Sequence, residues 1–533
     1  MTDGRAHDDA VVVVGNGPVG QSASLLLARW GLRVITFDER PERDYVGSRS
    51  ICQQRDVLDI WDSVGAGRQV ADEGVTWTTA RTFHRDLELF ALTFEDRGRS
   101  RFPPFVNISQ SRTERILDTA LGSQPLVDAR WAHCVTGIRP DAGGVTVVGT
   151  SPVGPFELRA TYVVMCAGGH CDDLRESLGI EFYGHSYADR FLICDIRTEL
   201  PDWRTERRFY FDPRWNPGRQ VLIHPCPDST YRIDWQVDET YDLDEERRSG
   251  ALDRRIRQIV GDAAYEIVWC SVYRAHERIA DRMSAGRVLL AGDCAHLVTP
   301  FGARGLNSGV QDAENAAWKI AYASRGYASP ALVRTYDDER HAAAVENLTI
   351  TSATMDFLAP ETPEQIAYRR VTLDDAGADP SARARVDSGR LAEPFWYVDS
   401  PLTTLDPSRT FEGRPPKGFT PAPAPGILLP DVPARYDSVA IPLRSLAREH
   451  LTVLTGADVD ATSVSRAVRA MVSAPVRVMP VAAIEDSMAA ITVSEALGIQ
   501  ADEIWLLRPD AYVAAVVRDA EELLAAAARL LAR

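Results

Sequence analysis

The stretch from Ala10 to Glu39 constrains this chain more than any other. AVVVV suits a strand buried on both faces, QSASLLLARWG suits a crossover helix, and LRVITFDE suits the next parallel strand. Between the first strand and the helix stands G-N-G-P-V-G, Gly15 to Gly20. Gly15 makes the tight turn, Gly17 lets a pyrophosphate approach the backbone, and Gly20 lets helix and strand pack closely. Pro18 and Val19 open the helix, whose unpaired N–H groups and positive dipole end face the phosphates. Asp38 and Glu39 end the second strand, where a carboxylate can accept hydrogen bonds from a ribose diol. A G-x-G-x-x-G alone is weak evidence, but strand, loop, helix, strand and acid all occur here in register. A dinucleotide is expected, and this motif does not distinguish NAD from FAD.

The rest of the composition narrows the class. With 533 residues, two or three domains are expected. The net charge of -17 offers no basic stripe for neutralising phosphates, so no nucleic-acid partner is expected. The longest apolar runs fall short of a membrane span and MTDGRAHDDA has no signal pattern, which predicts a soluble, cytoplasmic protein without membrane contact. Eight cysteines are scattered without C-x-x-C or zinc spacing, and no His/Asp/Glu cluster has ligand spacing, so no metal is expected.

The fold class read from these patterns is α/β: a discontinuous Rossmann-type domain, an inserted β-rich lobe and a C-terminal α/β domain. Residues 1–180 form the first part of the Rossmann-type domain. Residues 181–280, with RFYFD, RQVLIHP and YRIDWQV, form the lobe, helped by about 74–109. Residues 281–400 complete the first domain and add a helical segment. Residues 401–433 hold nine prolines and are read as a linker. Residues 434–533 alternate strand and helix and contain no cysteine.

The segment 286–307, GRVLLAGDCAHLVTPFGARGLN, carries the second half of the site. A buried strand ends at Gly292 and delivers Asp293, whose carboxylate can receive hydroxyls of a ribityl chain. Pro300 to Asn307, with Gly302, Gly305 and Leu306, forms a loop running into a helix. Such a loop suits the anionic end of a reduced isoalloxazine. With these two motifs the chain resembles the flavoprotein aromatic hydroxylases, the group of para-hydroxybenzoate and phenol hydroxylases, over about residues 10–400. The resemblance implies FAD as cofactor. It also implies cofactor contacts at Arg49, Gln110 in NISQSRTERIL, and Val135. The tail resembles the thioredoxin-like C-terminal domain of several members, and without cysteine it cannot exchange thiols. A role in packing or in a homodimer contact is expected of it.

The family's Asp-Gly pair is replaced by Ala167-Gly168-Gly169-His170, with Asp172, Asp173 and Arg175 downstream, which makes the reductant, NADPH or NADH, less defined than the flavin. Arg304 stands where many members have glutamine, and it is expected to add positive charge near the flavin. The resemblance implies hydroxylation of a small aromatic, phenolic or polyketide-derived substrate with molecular oxygen, through a flavin hydroperoxide in a dry pocket. Tyr210, His224 and Arg232 are the candidate catalytic residues, with Trp215 and Trp235 as further substrate contacts, although strand alternation leaves Tyr210 and Trp235 readable as core. A Baeyer–Villiger oxygenase, a flavin dehydrogenase and a non-catalytic FAD-binding sensor or scaffold remain alternatives on the same fold.

Overall fold

The computed structural model describes residues 9–45, 47, 49–94, 100–416, 419–485 and 491–533. Its central sheet is assembled from distant parts of the chain. Val11–Val14 pairs in parallel with Val34–Phe37 on one side and Tyr162–Met165 on the other, and Val288–Leu290 joins beyond Tyr162–Met165. Each of these four strands is buried along its whole length, so covering layers are required on both faces. Helices Pro18–Arg29 and Gly305–Ser324 pack against each other in one such layer. The strand before the glycine loop and the strand before Asp293 therefore belong to one sheet, although the lobe separates them in sequence.

The lobe is an eight-stranded sheet in the order His296–Leu297, Tyr265–Ala280, Phe182–Thr198, Thr230–Val237, Gln220–Cys226, Glu206–Phe211, Thr79–His84, Leu87–Thr93. The last two strands come from the irregular stretch before the lobe. Because side chains alternate across a sheet, the register fixes two faces. Leu192, Trp235 and Val221 align on one face, with Cys194, Ile233 and Ile223 beside them. This outer face packs with Leu252, Ile256 and Val260 of helix Ala251–Val260. The opposite, inner face carries Phe191, Asp195, Phe209, Leu222, His224, Arg232 and Asp234.

The C-terminal sheet runs Val476–Pro480, Leu451–Thr455, Ile504–Leu507, Val513–Val517. Its first two strands are parallel across helix Ala461–Met471, and the later pairings are antiparallel. The proline-rich stretch 401–433 differs from the expected linker. Its described residues form no helix, as proline dictates, yet Leu402, Ile427, Leu428, Leu429 and Val432 are buried, and Leu428 bridges to Tyr512. Its apolar residues make it part of the packed body.

Buried ion pairs tie the C-terminal unit to the central one. Arg448 donates to Glu314 at 2.6 Å and to Asp59, Arg444 donates to Asp56, and Arg508 donates to Glu339 at 2.5 Å. Among the described residues, no helix is long and apolar enough to cross a membrane.

Candidate functional site

The two glycine segments meet at Val19. A side chain built at Gly292 would lie 3.1 Å from Val19, and one at Gly309, on helix Gly305–Ser324, would lie 2.6 Å from it. The glycine loop itself is closed by contacts that exclude side chains: a Cβ at Gly15 would overlap the Cys166 carbonyl, and one at Gly20 would overlap the Gly15 carbonyl. At Gly17 the same construction meets nothing within 4 Å. The open side of the loop is thus the side on which a pyrophosphate would approach.

At the adenosine end, Asp38 is buried and accepts the Asn16 N–H at 2.8 Å and the Arg40 guanidinium at 2.8 Å. Burial works to raise its carboxyl, but these donors hold it below the ordinary range. Glu39 beside it is exposed. The His133 N–H reaches the Asp38 carbonyl at 2.9 Å, which sets the buried Val135 next to this strand end. Gln110 heads helix Gln110–Gly122. It accepts the Ser50 N–H at 3.1 Å and donates to Glu114 at 3.0 Å, so it fixes the segment that carries Arg49.

At the other end, Asp293 is exposed at its surface yet so enclosed by protein that desolvation raises its carboxyl, against the pull of His296 and Arg49. Pro300 is exposed, and Gly302 adopts φ +100 with the Arg390 carbonyl filling the place where a Cβ would stand. Helix Gly305–Ser324 begins without a side-chain cap, so its first N–H groups, those of Gly305, Leu306 and Asn307, are available to an anion. The Asn307 side chain is engaged elsewhere. It accepts the Gln54 N–H at 3.0 Å and donates to the Cys52 carbonyl at 3.0 Å, joining strand Cys52–Gln54 to the loop. Asn16 Oδ1 and both polar atoms of the Gln53 side chain are buried without a hydrogen-bond partner among the described residues. Open space at Gly17, an enclosed carboxylate at Asp293 and orphaned polar atoms nearby fit an elongated polar cofactor such as FAD.

The lobe corrects several expectations. Tyr210 pairs with Val221 and stacks on Phe83 at 4.6 Å, with Trp215 at 5.5 Å, on the outer face. Trp235 is fully buried on that same face. All three therefore lie on the face opposite Phe191, Phe209 and Phe301. His224 and Arg232 do lie on the inner face. Arg232, however, is committed to Asp195 at 2.8 and 2.9 Å and to the Arg49 carbonyl at 3.3 Å, which makes it a clamp between lobe and flavin segment. His224 is held well below its ordinary pKa by burial, with Arg207 and Arg232 adding to the effect, so it is a weak proton acceptor.

Arg304 differs too: it donates to Asn347 at 2.7 Å and to the carbonyls of Arg390 and Leu391 at 3.2 Å, anchoring the later chain. Downstream of the replaced Asp-Gly pair, Arg175 is buried and donates to the carbonyls of Gly169 and Cys294 and to Asp172.

Sequence reasoning missed three inner-face groups: Asp234, Arg207 and Tyr273. Asp234 Oδ1, Arg207 Nε and the Tyr273 hydroxyl are buried without hydrogen-bond partners among the described residues. Phe301 of the Pro300–Asn307 loop packs on the same face, with its ring 5.3 Å from Phe191 and 6.3 Å from Phe209. For Asp234 the available signal was an acid at mid-strand in TYRIDWQV.

A family model described as "FAD binding domain" matches residues 8–351. Among curated relatives, anhydrotetracycline monooxygenase of Streptomyces rimosus is 31% identical over 376 residues, 68% of this chain and 72% of that protein. The 3-(3-hydroxy-phenyl)propionate/3-hydroxycinnamic acid hydroxylase of Mycolicibacterium smegmatis is 28% identical over 77% of this chain and 71% of its own length. Two solved structures share the fold across the chain. The flavin-dependent monooxygenase PieE with FAD and substrate has TM-score 0.83 and 22% identity, covering 98% of this chain and 99% of that one. Aklavinone-11 hydroxylase with FAD and aklavinone has TM-score 0.79 and 24% identity, covering 100% of both chains. The family match and the sequence relatives agree with the convergent glycine segments: the chain belongs to the FAD-dependent aromatic hydroxylases and is a flavoprotein monooxygenase.

Proposed function

We propose that this enzyme hydroxylates a phenolic, polyketide-derived ring, drawing electrons from NADPH or NADH and oxygen from solution. The observation that carries this reading is the inner face of the lobe sheet. Phe191, Leu222 and Phe209 pack with Phe301 into a buried apolar cluster on that face. Asp234, Arg207 and Tyr273 add unpartnered polar groups. A ring bearing a hydroxyl would give these polar groups a partner beside an apolar wall. The names of two relatives, anhydrotetracycline monooxygenase and aklavinone-11 hydroxylase, support the same class.

In this reading Gly15, Gly17, Pro18, Val19 and Gly20 hold the FAD pyrophosphate, Asp38, Glu39 and Val135 the adenosine end, and Arg49, Gln110 and Asp293 the middle. Pro300, Gly302 and the N–H groups of Gly305 to Asn307 take the ring. Bound FAD supplies the reducing equivalents and the activated oxygen. The protein's residues orient the substrate and exclude water: Phe301 and the cluster around it close the apolar side, and Arg232 keeps the Arg49 segment against the lobe. The C-terminal strand order supports a thioredoxin-like unit, which without cysteine serves packing.

The test is to purify the protein, record its visible spectrum and follow NADPH and NADH oxidation with a panel of polycyclic phenols. A yellow protein whose product gains one oxygen as a ring hydroxyl supports the reading. A lactone product, or the loss of two hydrogens, overturns it.

A further inference from the structure

The inner face of the lobe sheet carries a row of charge in a setting that otherwise excludes it. Across neighbouring strands stand Asp195, Arg232 and His224 in register, with Arg207 on the next strand. Asp234 lies two residues from Arg232, beside Leu222. Arg232 and Asp195 satisfy each other at 2.8 and 2.9 Å. Arg207 has no such partner: it is 5% exposed, its Nε is orphaned, and among the described residues it makes no ion pair. A buried guanidinium without a carboxylate is costly unless a ligand supplies an anionic oxygen. Asp234 is orphaned at Oδ1, and its Oδ2 lies 4.0 Å from His224 Nε2.

We infer that Asp234 and Arg207 act together on a ring hydroxyl of the substrate, Asp234 taking its proton and Arg207 holding the oxygen left behind. The inference rests on the phenolic reading above and adds to it the residues that recognise the substrate. In the step the O–H bond breaks, the proton passes to an Asp234 carboxylate oxygen, and the electron pair stays on the ring oxygen. That pair raises electron density at the ring carbon to be hydroxylated.

The groups facing Asp234 favour this transfer. Burial pushes its carboxyl up to about 7, with Arg232 and Arg207 opposing and Asp195 reinforcing the rise. A carboxylate with that affinity is a far better proton acceptor than an exposed one. His224 stays neutral and Tyr273 stays protonated, because burial penalises their charged forms. Arg207, though lowered to about 10 by burial, remains a cation at neutral pH. Arg207 also lies beside Cys52, whose carbonyl accepts from Asn307 of the flavin loop, so the anion would form on the flavin side of the sheet.

The test uses FAD-loaded enzyme and 1,8-dihydroxyanthraquinone, which is yellow when neutral and red when ionised. Titration at about pH 8, above the point at which Asp234 ionises, is followed by colour and by proton release into weak buffer. The wild type is expected to turn the bound dye red while releasing no proton, because Asp234 retains it. Arg207→Gln should bind the dye in its yellow form. Asp234→Asn should either leave the dye yellow or release about one proton per red dye bound, and Asp234→Glu should restore the wild-type pattern. Tyr210→Phe, on the outer face, should match the wild type. Bound dye that stays yellow in the wild type, or red dye with equal proton release in wild type and Asp234→Asn, overturns the inference while leaving the phenolic reading intact. Wild-type enzyme that binds no dye at all overturns both. Flavin retention reports folding of each variant, and where one fails to fold the other decides.

Discussion

The Asp312 carboxylate meets the Arg340 guanidinium at 2.7 Å with neither side chain exposed to solvent. Its other oxygen accepts the Gly292 N–H at 3.0 Å and the His296 ring at 2.8 Å. Burial works to raise this carboxyl, but Arg340 and then His296 hold it below the ordinary range. The turn that presents Asp293 is thus shaped by a charge one helix away. Replacing Asp312 with Asn leaves Arg340 buried without its counterion, which costs about 3–5 kcal/mol. Thermal melting and flavin retention are expected to fall together. Asp293→Asn should weaken flavin retention with little change in the melting of the flavin-free protein. Equal melting losses in the two variants would argue against this division of labour.

Two glycines of one loop should fail in different ways. Gly20→Ala forces a methyl into the Gly15 carbonyl, so helix and strand must separate and the protein itself is destabilised. Gly17→Ala meets no protein atom within 4 Å, and its φ of -76 suits alanine. Its methyl occupies the side on which the pyrophosphate would lie. Gly17→Ala should therefore fold with near-normal stability and purify colourless, as urea unfolding and the visible spectrum would check.

What was legible in the sequence follows the range of the rules involved. The glycine loop and Asp38 were readable because turn, helix start and strand end lie within thirty residues and each has a local steric reason. Asp293 and the 300–307 loop were readable as a second local pattern, although their meeting at Val19 depends on strand order. In RFYFD aromatic residues occupy both faces, so nothing in that segment says whether Phe209 or Tyr210 looks inward. Only the pairing of Phe209 with Leu222 and of Tyr210 with Val221 decides it. The buried arginines 444, 448 and 508 were illegible for another reason: their acids at 56, 59, 314 and 339 lie in a different part of the chain.

Those arginines make the union of the two units sensitive to acid. Glu339 receives Arg508 and Lys319, and although burial opposes it, they hold its carboxyl well below the usual glutamate range. A depressed carboxyl contributes stability that is present above its unfolded pKa and is lost as pH falls through the folded one. The melting temperature should therefore drop steeply below about pH 4.5. In Glu339→Gln the loss should already be present at neutral pH, about 3–5 kcal/mol, with Lys319 left uncompensated and Arg508 keeping only Asp510, and the acid slope should be shallower. Melting curves across this range check both points.

Neighbouring residues on one lobe strand offer the sharpest separation of structure from chemistry. Tyr210 stacks on Phe83 over the outer face, and its hydroxyl accepts from Arg208 at 3.0 Å near the surface, so Tyr210→Phe should change stability by no more than about 0.5 kcal/mol and leave turnover intact. Phe209, one residue earlier, is fully buried against Phe211 and faces Phe301 of the flavin loop. Phe209→Leu keeps an apolar side chain and most of the packing, at a cost of about 1 kcal/mol, but it thins the wall between solvent and the flavin side. Water admitted to that side would divert the oxygen chemistry that bound FAD supplies into hydrogen peroxide instead of a ring hydroxyl. Consumption of the reductant proposed above should then continue while hydroxylated product per reductant falls and peroxide rises. The same substitution made on the outer face should do neither, because what couples the two halves of the reaction is the dryness of one side of this sheet.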